Sequence, residues 1–363
     1  LETSSTASAN IAIGSESLRN NTSGSSNTAV GLAALCANTT GGENIALGRS
    51  ALVKNIEGNC NTAVAGQNAL ACNTTGSCNV AVGQNALCAN TTASSNTAVG
   101  RNSLKVNTTG TLNNAFGSGS LMANTEGGNN VALGNDALRF NTTGCQNTAV
   151  GITALFTNTE GCQNVAVGRQ ALYDNTTGKC NVALGYNSLH NNETASDNTA
   201  VGTQAMFSNT TGCQNVALGI CALKTNVDGD KNIAIGKDTL ESNSGGDQNT
   251  AVGHSALNAN TGSNNTAFGY FAMFKNSSGT ENVAVGLQTM CKATTGDNNV
   301  AVGNYSMKDA TTGNDNVAVG YCSLKDNTTG CRNVAVGRCA LHASDTGLNN
   351  TAVGFEAMKV AQG

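Results

Sequence analysis

The chain has 363 residues with no Pro, no Trp, 44 Gly and only 11% charged residues, so it lacks the bulky side chains of an ordinary globular core. A formal net charge of −4, with no cluster of Lys or Arg, gives no electrostatic reason to expect nucleic acid or an anionic membrane as partner, and neither is predicted. No apolar run approaches the roughly 20 residues of a membrane span, and the opening LETSSTASAN carries no signal-peptide pattern, as expected of a processed product or a piece of a longer chain.

Residues 1–9 read as an N-terminal extension, and residues 10–363 as one continuous repeat domain. Its unit is an apolar triplet closed by Gly, first at Gly14, then at Gly31, Gly48, Gly66, Gly83 and Gly100, and onward to Gly354, 21 copies in all. The interval is 17 residues except for one extra residue at Ala65 and one missing residue at Asn260-Thr261-Gly262. A chain that takes an insertion or a deletion and resumes its phase is built of stacked coils.

Each column of the repeat has a physical reading. Asn precedes the triplet (Asn10, Asn27, Asn44), and Asn stacked coil upon coil predicts a hydrogen-bonded ladder. Next come Thr, Val or Ile, then Ala, then Val, Leu, Ile or Phe, then Gly, which predicts a short strand and a bend. Leu or Met four residues after the Gly (Leu18, Leu35, Leu52) predicts a second short strand. Asn-Thr-Thr-Gly, as at Asn38 to Gly41, predicts the closing corner, because Asn and Gly tolerate positive φ. Such a corner every 17 residues would cut a helix to under three turns, which excludes a helical solenoid. The expected fold is all-β: a single-chain parallel β-solenoid, or β-roll, of about 21 coils with 17 residues per coil. At a coil spacing of roughly 4.8 Å this makes a rod on the order of 100 Å long.

Neighbouring strand residues point to opposite faces, yet the Ala column and the Val column both stay apolar. One coil has one interior, so a second covered face is expected, with the small Ala column packed against other copies of the chain. The expected partner is therefore the chain itself, as a parallel homotrimer or an end-to-end filament.

The segments NTAVG, NIALG and NVAVG, each followed by a small residue and Leu, resemble the head repeats of trimeric autotransporter adhesins. The longer unit NTAVGxxALxxNTTG is more similar to repeats in the tail fibres and fibre-like proteins of phages and large viruses. The resemblance covers residues 10 to about 358. It implies a left-handed β-roll in a trimeric extracellular fibre, located on a virion or cell surface and used for display or for attachment to a cell-surface glycan or receptor. The chain departs from the adhesins in its 17-residue unit and in its 14 Cys.

Catalytic chemistry is not indicated. His190, His254 and His342 are several coils apart, so no two can share a metal or form a catalytic pair, and the calcium-binding Gly-Gly-x-Gly-x-Asp pattern is missing. Neither an enzyme nor a cofactor is expected. A carbohydrate-binding or depolymerising viral spike is the alternative function. An ice-binding Thr array is a third reading, opposed by the corner position of the Thr pairs. Phe140, Phe156, Tyr173, Phe207 and Phe274 occupy variable exterior columns where a receptor could bind.

Two sets of residues are candidate modification sites. Sequons recur at the corner, at Asn38, Asn73, Asn90, Asn107, Asn141, Asn175, Asn209 and Asn327, with further copies at Asn21, Asn192 and Asn276. They would decorate one edge with glycans, or else Asn-Thr-Thr-Gly is simply good turn chemistry, the preferred reading. Cys60 and Cys78, Cys145 and Cys162, and Cys322 and Cys339 occupy matching positions in consecutive coils, and Cys72 and Cys88 are offset by one column. Matching positions lie about 5 Å apart, within the range a disulfide accepts, so coil-to-coil staples are expected. Cys36, Cys180, Cys213, Cys221, Cys291 and Cys331 have no partner at the same position in a neighbouring coil.

Overall fold

A computed structural model describes residues 6–359. Each apolar triplet is a short strand; Thr28–Val30, for example, pairs in parallel with Ile11–Ile13 before it and with Ile45–Arg49 after it. The chain divides into two compact units, Leu1–Asn181 and Val182–Gly363. Each unit is a parallel β-solenoid without helices among the described residues. The first contains ten strands, from Ile11–Ile13 to Val165–Val167, and the second eleven, from Val182–Leu184 to Thr351–Val353. Register places like on like: Ala29 pairs with Ala12 and Ala46 in the first unit, and Ala217 with Ala200 and Ala234 in the second. Away from the strands the backbone still bonds coil to coil, as where Leu35 N–H donates to Ala51 O at 3.0 Å and Ala37 N–H to Val53 O at 3.0 Å. The winding thereby gives its backbone polar groups partners around the whole coil. Ser8, within the expected extension, already joins this pattern by accepting a hydrogen bond from Ser26 N–H at 3.0 Å.

The Leu segment corrects one expectation, since it is a run of turns and not a second strand. The residues two and four places after the Gly are left-handed, as at Ala33 (φ 56°) and Leu35 (φ 50°), and a left-handed residue cannot continue a pleat. Leu35 nevertheless turns fully inward.

The interior is narrow. Ala29, Ala34 and Leu35 fill one level of it, all fully buried. The strand Ala therefore faces the inside of its own coil and does not form the contact between chains that the apolar columns suggested. Its small size is what a narrow coil interior requires.

Two Asn ladders run through this interior. In the first, ahead of the strand, Asn44 Nδ2 donates to Asn27 Oδ1 at 3.1 Å and to Gly58 O at 2.9 Å. In the second, at the corner, Asn38 Nδ2 donates to Asn21 Oδ1 at 2.8 Å and to Gly41 O at 2.8 Å. All four of these Asn are fully buried, so each amide must find its partners inside.

Gly has two separate uses. Gly100, at the strand end, holds φ at 135°, and a Cβ there would stand 2.5 Å from Gly117 O. The corner Gly41 does not have the positive φ expected of it; a Cβ there would meet Gly58 O at 2.5 Å and Asn38 Oδ1 at 2.6 Å, so close approach accounts for the residue. The irregular repeats are absorbed locally. Ala65 enters as a bulge between the longer strands Ile45–Arg49 and Thr62–Gln67, shifting register after Leu47. The shortened corner at Asn260 keeps its ladder by donating to Gly262 O at 2.7 Å, two residues on instead of three.

Candidate functional site

With Ala turned inward, the first and third residues of every triplet point out. The third-residue column reads Val30, Leu47, Val64, Phe116, Val150 and Val167 along the first unit, and Val201, Leu218, Ile235, Phe268 and Val302 along the second. Val167 and Val302 each keep 37% of their surface exposed. The first-residue column alternates Thr with Val and Ile, with Asn114 as its one amide. No triplet carries a charged residue. Ion pairs lie elsewhere on the coils, as in Arg139–Asp136 at 2.8 Å and Lys292–Asp309 at 2.7 Å. Each unit thus presents a ladder of apolar and hydroxyl side chains repeated at the strand spacing.

The sequon asparagines are placed differently from the glycan-bearing edge considered above. Asn38, Asn73, Asn90, Asn107, Asn141, Asn175, Asn209 and Asn327 are all fully buried. Except at Asn327, which follows Ala310 in the column, their Nδ2 atoms serve the corner ladder, as in Asn90 to Asn73 Oδ1 at 2.9 Å, Asn141 to Asn124 Oδ1 at 2.7 Å and Asn209 to Asn192 Oδ1 at 3.1 Å. A glycan on any of these amides has no room in the folded coil, and the motif acts as turn chemistry. The corner Thr hydroxyls are engaged as well: Thr39 Oγ1 donates to Ile56 O at 3.1 Å and Thr74 Oγ1 to Thr91 O at 3.0 Å.

All fourteen cysteines are thiols. Cys145 and Cys162, on consecutive coils, bring their Sγ atoms to 2.9 Å. Cys60 directs its thiol at Glu43 Oε2, 3.4 Å away, and that carboxylate is the main reason its pKa is raised; Cys78 is also close enough to raise it. Cys72 N–H donates to Cys88 O at 3.0 Å, and burial pushes the Cys88 thiol up. Cys322 is buried, with its thiol pushed up by desolvation and, more weakly, by Cys339 in the next coil.

Histidines and aromatics lie along the sides of the coils. His190 stacks on Phe207 with centroids 5.1 Å apart, and His342 Nδ1 is 3.4 Å from Asp326. Phe156 meets Phe140 edge-on and Tyr173 face-on, both at 5.0 Å. His254, Tyr270, Phe271 and Phe274 form a second group, in which the Tyr270 ring meets Phe271 edge-on at 4.3 Å.

One cluster escaped the reading of the sequence. Cys221, Asp238 and Glu241 bring their ligand atoms within 4.8 Å of one another. Cys221 and Asp238 each follow a repeat Gly by two residues in consecutive coils, which was the available signal. Both carboxylates already have partners, Lys237 Nζ at 3.5 Å from Asp238 and Asn258 Nδ2 at 3.1 Å from Glu241. Among the described residues no helix is long and apolar enough to cross a membrane.

No known family model matches the chain, and no curated protein is detectably similar to it. What the geometry defines is a class, a β-solenoid repeat protein with an uncharged, outward strand face.

Proposed function

We propose that the chain is a structural fibre protein whose solenoid associates with further copies of itself through the outward strand columns, giving a parallel homotrimer or a filament. The reading places it outside the cell or on a virion or cell surface, where it serves display or attachment. One observation supports it above the others: the triplets carry no charge anywhere, while charged residues are present on other parts of the coils. Exposed apolar ladders of this kind are costly in water and favour a dry interface. A surface with the same repeat is their natural complement, because only a like stack keeps register over many coils.

The test is sedimentation of the wild-type chain beside a Val150→Glu, Val167→Glu variant, with electron microscopy of both. Wild type sediments as a trimer or longer assembly, and the variant as a folded monomer. A wild-type chain that is monomeric at micromolar concentration overturns the reading.

A second reading, carbohydrate binding, has its own observation in the second unit. Tyr270 is 48% exposed while Phe271 and His254 hold its ring by edge and tilted contacts. A fixed, exposed aromatic ring suits the apolar face of a sugar. Glycan-array binding lost on Tyr270→Ala supports this reading, and no binding by the assembled wild type rejects it.

A further inference from the structure

We propose that Cys145 and Cys162 form a reactive dithiol that exchanges with small disulfides, with Cys162 as the attacking sulfur and Cys145 as the resolving one. The inference goes beyond the fibre reading and does not depend on it. It also goes beyond a static staple, because it assigns the two sulfurs different roles.

The geometry distinguishes them. The Cys145 thiol donates to Cys162 Sγ at 2.9 Å, and the Cys145 backbone N–H donates to the same sulfur at 3.1 Å. The Cys162 thiol in turn donates to Glu160 O at 3.4 Å, and a thiolate formed at Cys162 Sγ would keep both of the donors from Cys145. Cys145 keeps its proton more firmly than an ordinary thiol, first because of that hydrogen bond and then through desolvation. Lys179, in the matching column one coil beyond Cys162, favours the later ionisation of Cys145. Both sulfurs are only half-buried, so a small disulfide can reach them. Cys60 is unlike this pair, since the Glu43 carboxylate opposes a thiolate there.

The exchange balances without any other reactant. Cys162 thiolate attacks one sulfur of R–S–S–R, forming Cys162–S–S–R and releasing RS⁻. Cys145 then loses its proton and its sulfur attacks Cys162 Sγ, breaking the mixed disulfide and releasing the second RS⁻. The two thiol protons end on two RSH molecules. The two electrons that the Cys145 and Cys162 sulfurs give up on forming their bond have reduced the small disulfide.

The full-length chain is incubated with glutathione disulfide, quenched with N-ethylmaleimide at intervals and mapped by peptide mass spectrometry. Wild type gives an internal Cys145–Cys162 disulfide at least about tenfold faster than the exposed Cys180 gains glutathione. Cys145→Ser accumulates glutathione on Cys162, whereas Cys162→Ser leaves Cys145 slow to react. Circular dichroism confirms that both variants are folded. Equal rates at Cys162 and Cys180, or glutathione accumulating on Cys145 in place of Cys162, overturns the proposal.

Discussion

Asn276 Oδ1 is buried without a hydrogen-bond partner because Ala293 stands where every ladder Asn of the earlier corners would place a donor. Ala310 repeats the gap one coil further, and the ladder resumes at Asn327, whose Nδ2 reaches only its own Gly330 O, at 3.0 Å. Substituting Ala293→Asn alone satisfies Asn276 but leaves the new Oδ1 facing Ala310. Ala310→Asn alone accepts from Asn327 but leaves Asn276 unpaired. The double variant closes the ladder, and an unpaired buried acceptor costs about 1–3 kcal/mol. Each single change is therefore expected to be near neutral, and the pair to stabilise by more than their sum. Hydrogen exchange of amides in residues 276–330 measures this; simple additivity would remove the ladder argument.

Thr153 illustrates a different local cost. It sits in the left-handed region at φ 52°, where a β-branched side chain is crowded, while Asn85 and Asn102 hold the same repeat position at φ 56° and 59°. Asn tolerates this conformation better. Thr153→Asn is expected to stabilise its coil by about 1 kcal/mol. Slower exchange of the neighbouring amides is the readout, and unchanged exchange would mean that the coil has already relaxed around Thr153.

Adjacent residues on one strand should respond in opposite ways to the same substitution. Ala166 is fully buried, and its neighbour Val167 points out. Glu at 166 places an unpaired charge in a space sized for a methyl group, a loss of more than about 3 kcal/mol that melts the surrounding coils. Glu at 167 leaves the coil folded and alters only association. Limited proteolysis separates the two: rapid cleavage near residue 166 in the first variant, and wild-type resistance in the second.

The period, the strand and the first Asn ladder could be read from the sequence because Asn27, Ala29 and Gly31 sit in columns that barely vary. The Leu35 conformation could not. Leu among small residues signals a strand or a helix, and its left-handed φ is imposed by closing the coil over the next one, which is a tertiary constraint. The burial of Asn38 was hidden for another reason, since an Asn-Thr-Thr-Gly corner looks the same whether its amide points in or out. A clue was present in the repeat itself: that column stays Asn in most coils, while the next two positions vary to Ile56 and Glu57. For the outward face, alternation alone established that one apolar column must be external, but not which of the two.

Alkaline pH should destabilise the reduced chain. Burial is the first cause that raises the thiol pKa of Cys88, Cys221, Cys291 and Cys322, and the hydrogen bond with Cys162 is the first cause for Cys145. With folded values above the unfolded one, the folded chain holds protons that the unfolded chain has released. That contribution is complete below the unfolded thiol value, about 8.5, and is lost as pH rises through the higher folded values. Lys292 and Tyr321 are shifted upward too and act in the same direction, but their unfolded values of about 10 and above place them later. From about pH 8.5 up to the tyrosine and lysine range near 10 the decline should therefore belong to the thiols. Under reducing conditions the urea midpoint is expected to fall across this window, and a Cys88→Ser, Cys291→Ser variant should flatten the fall. The serine variant declining as steeply as wild type would show that other groups control the alkaline limit.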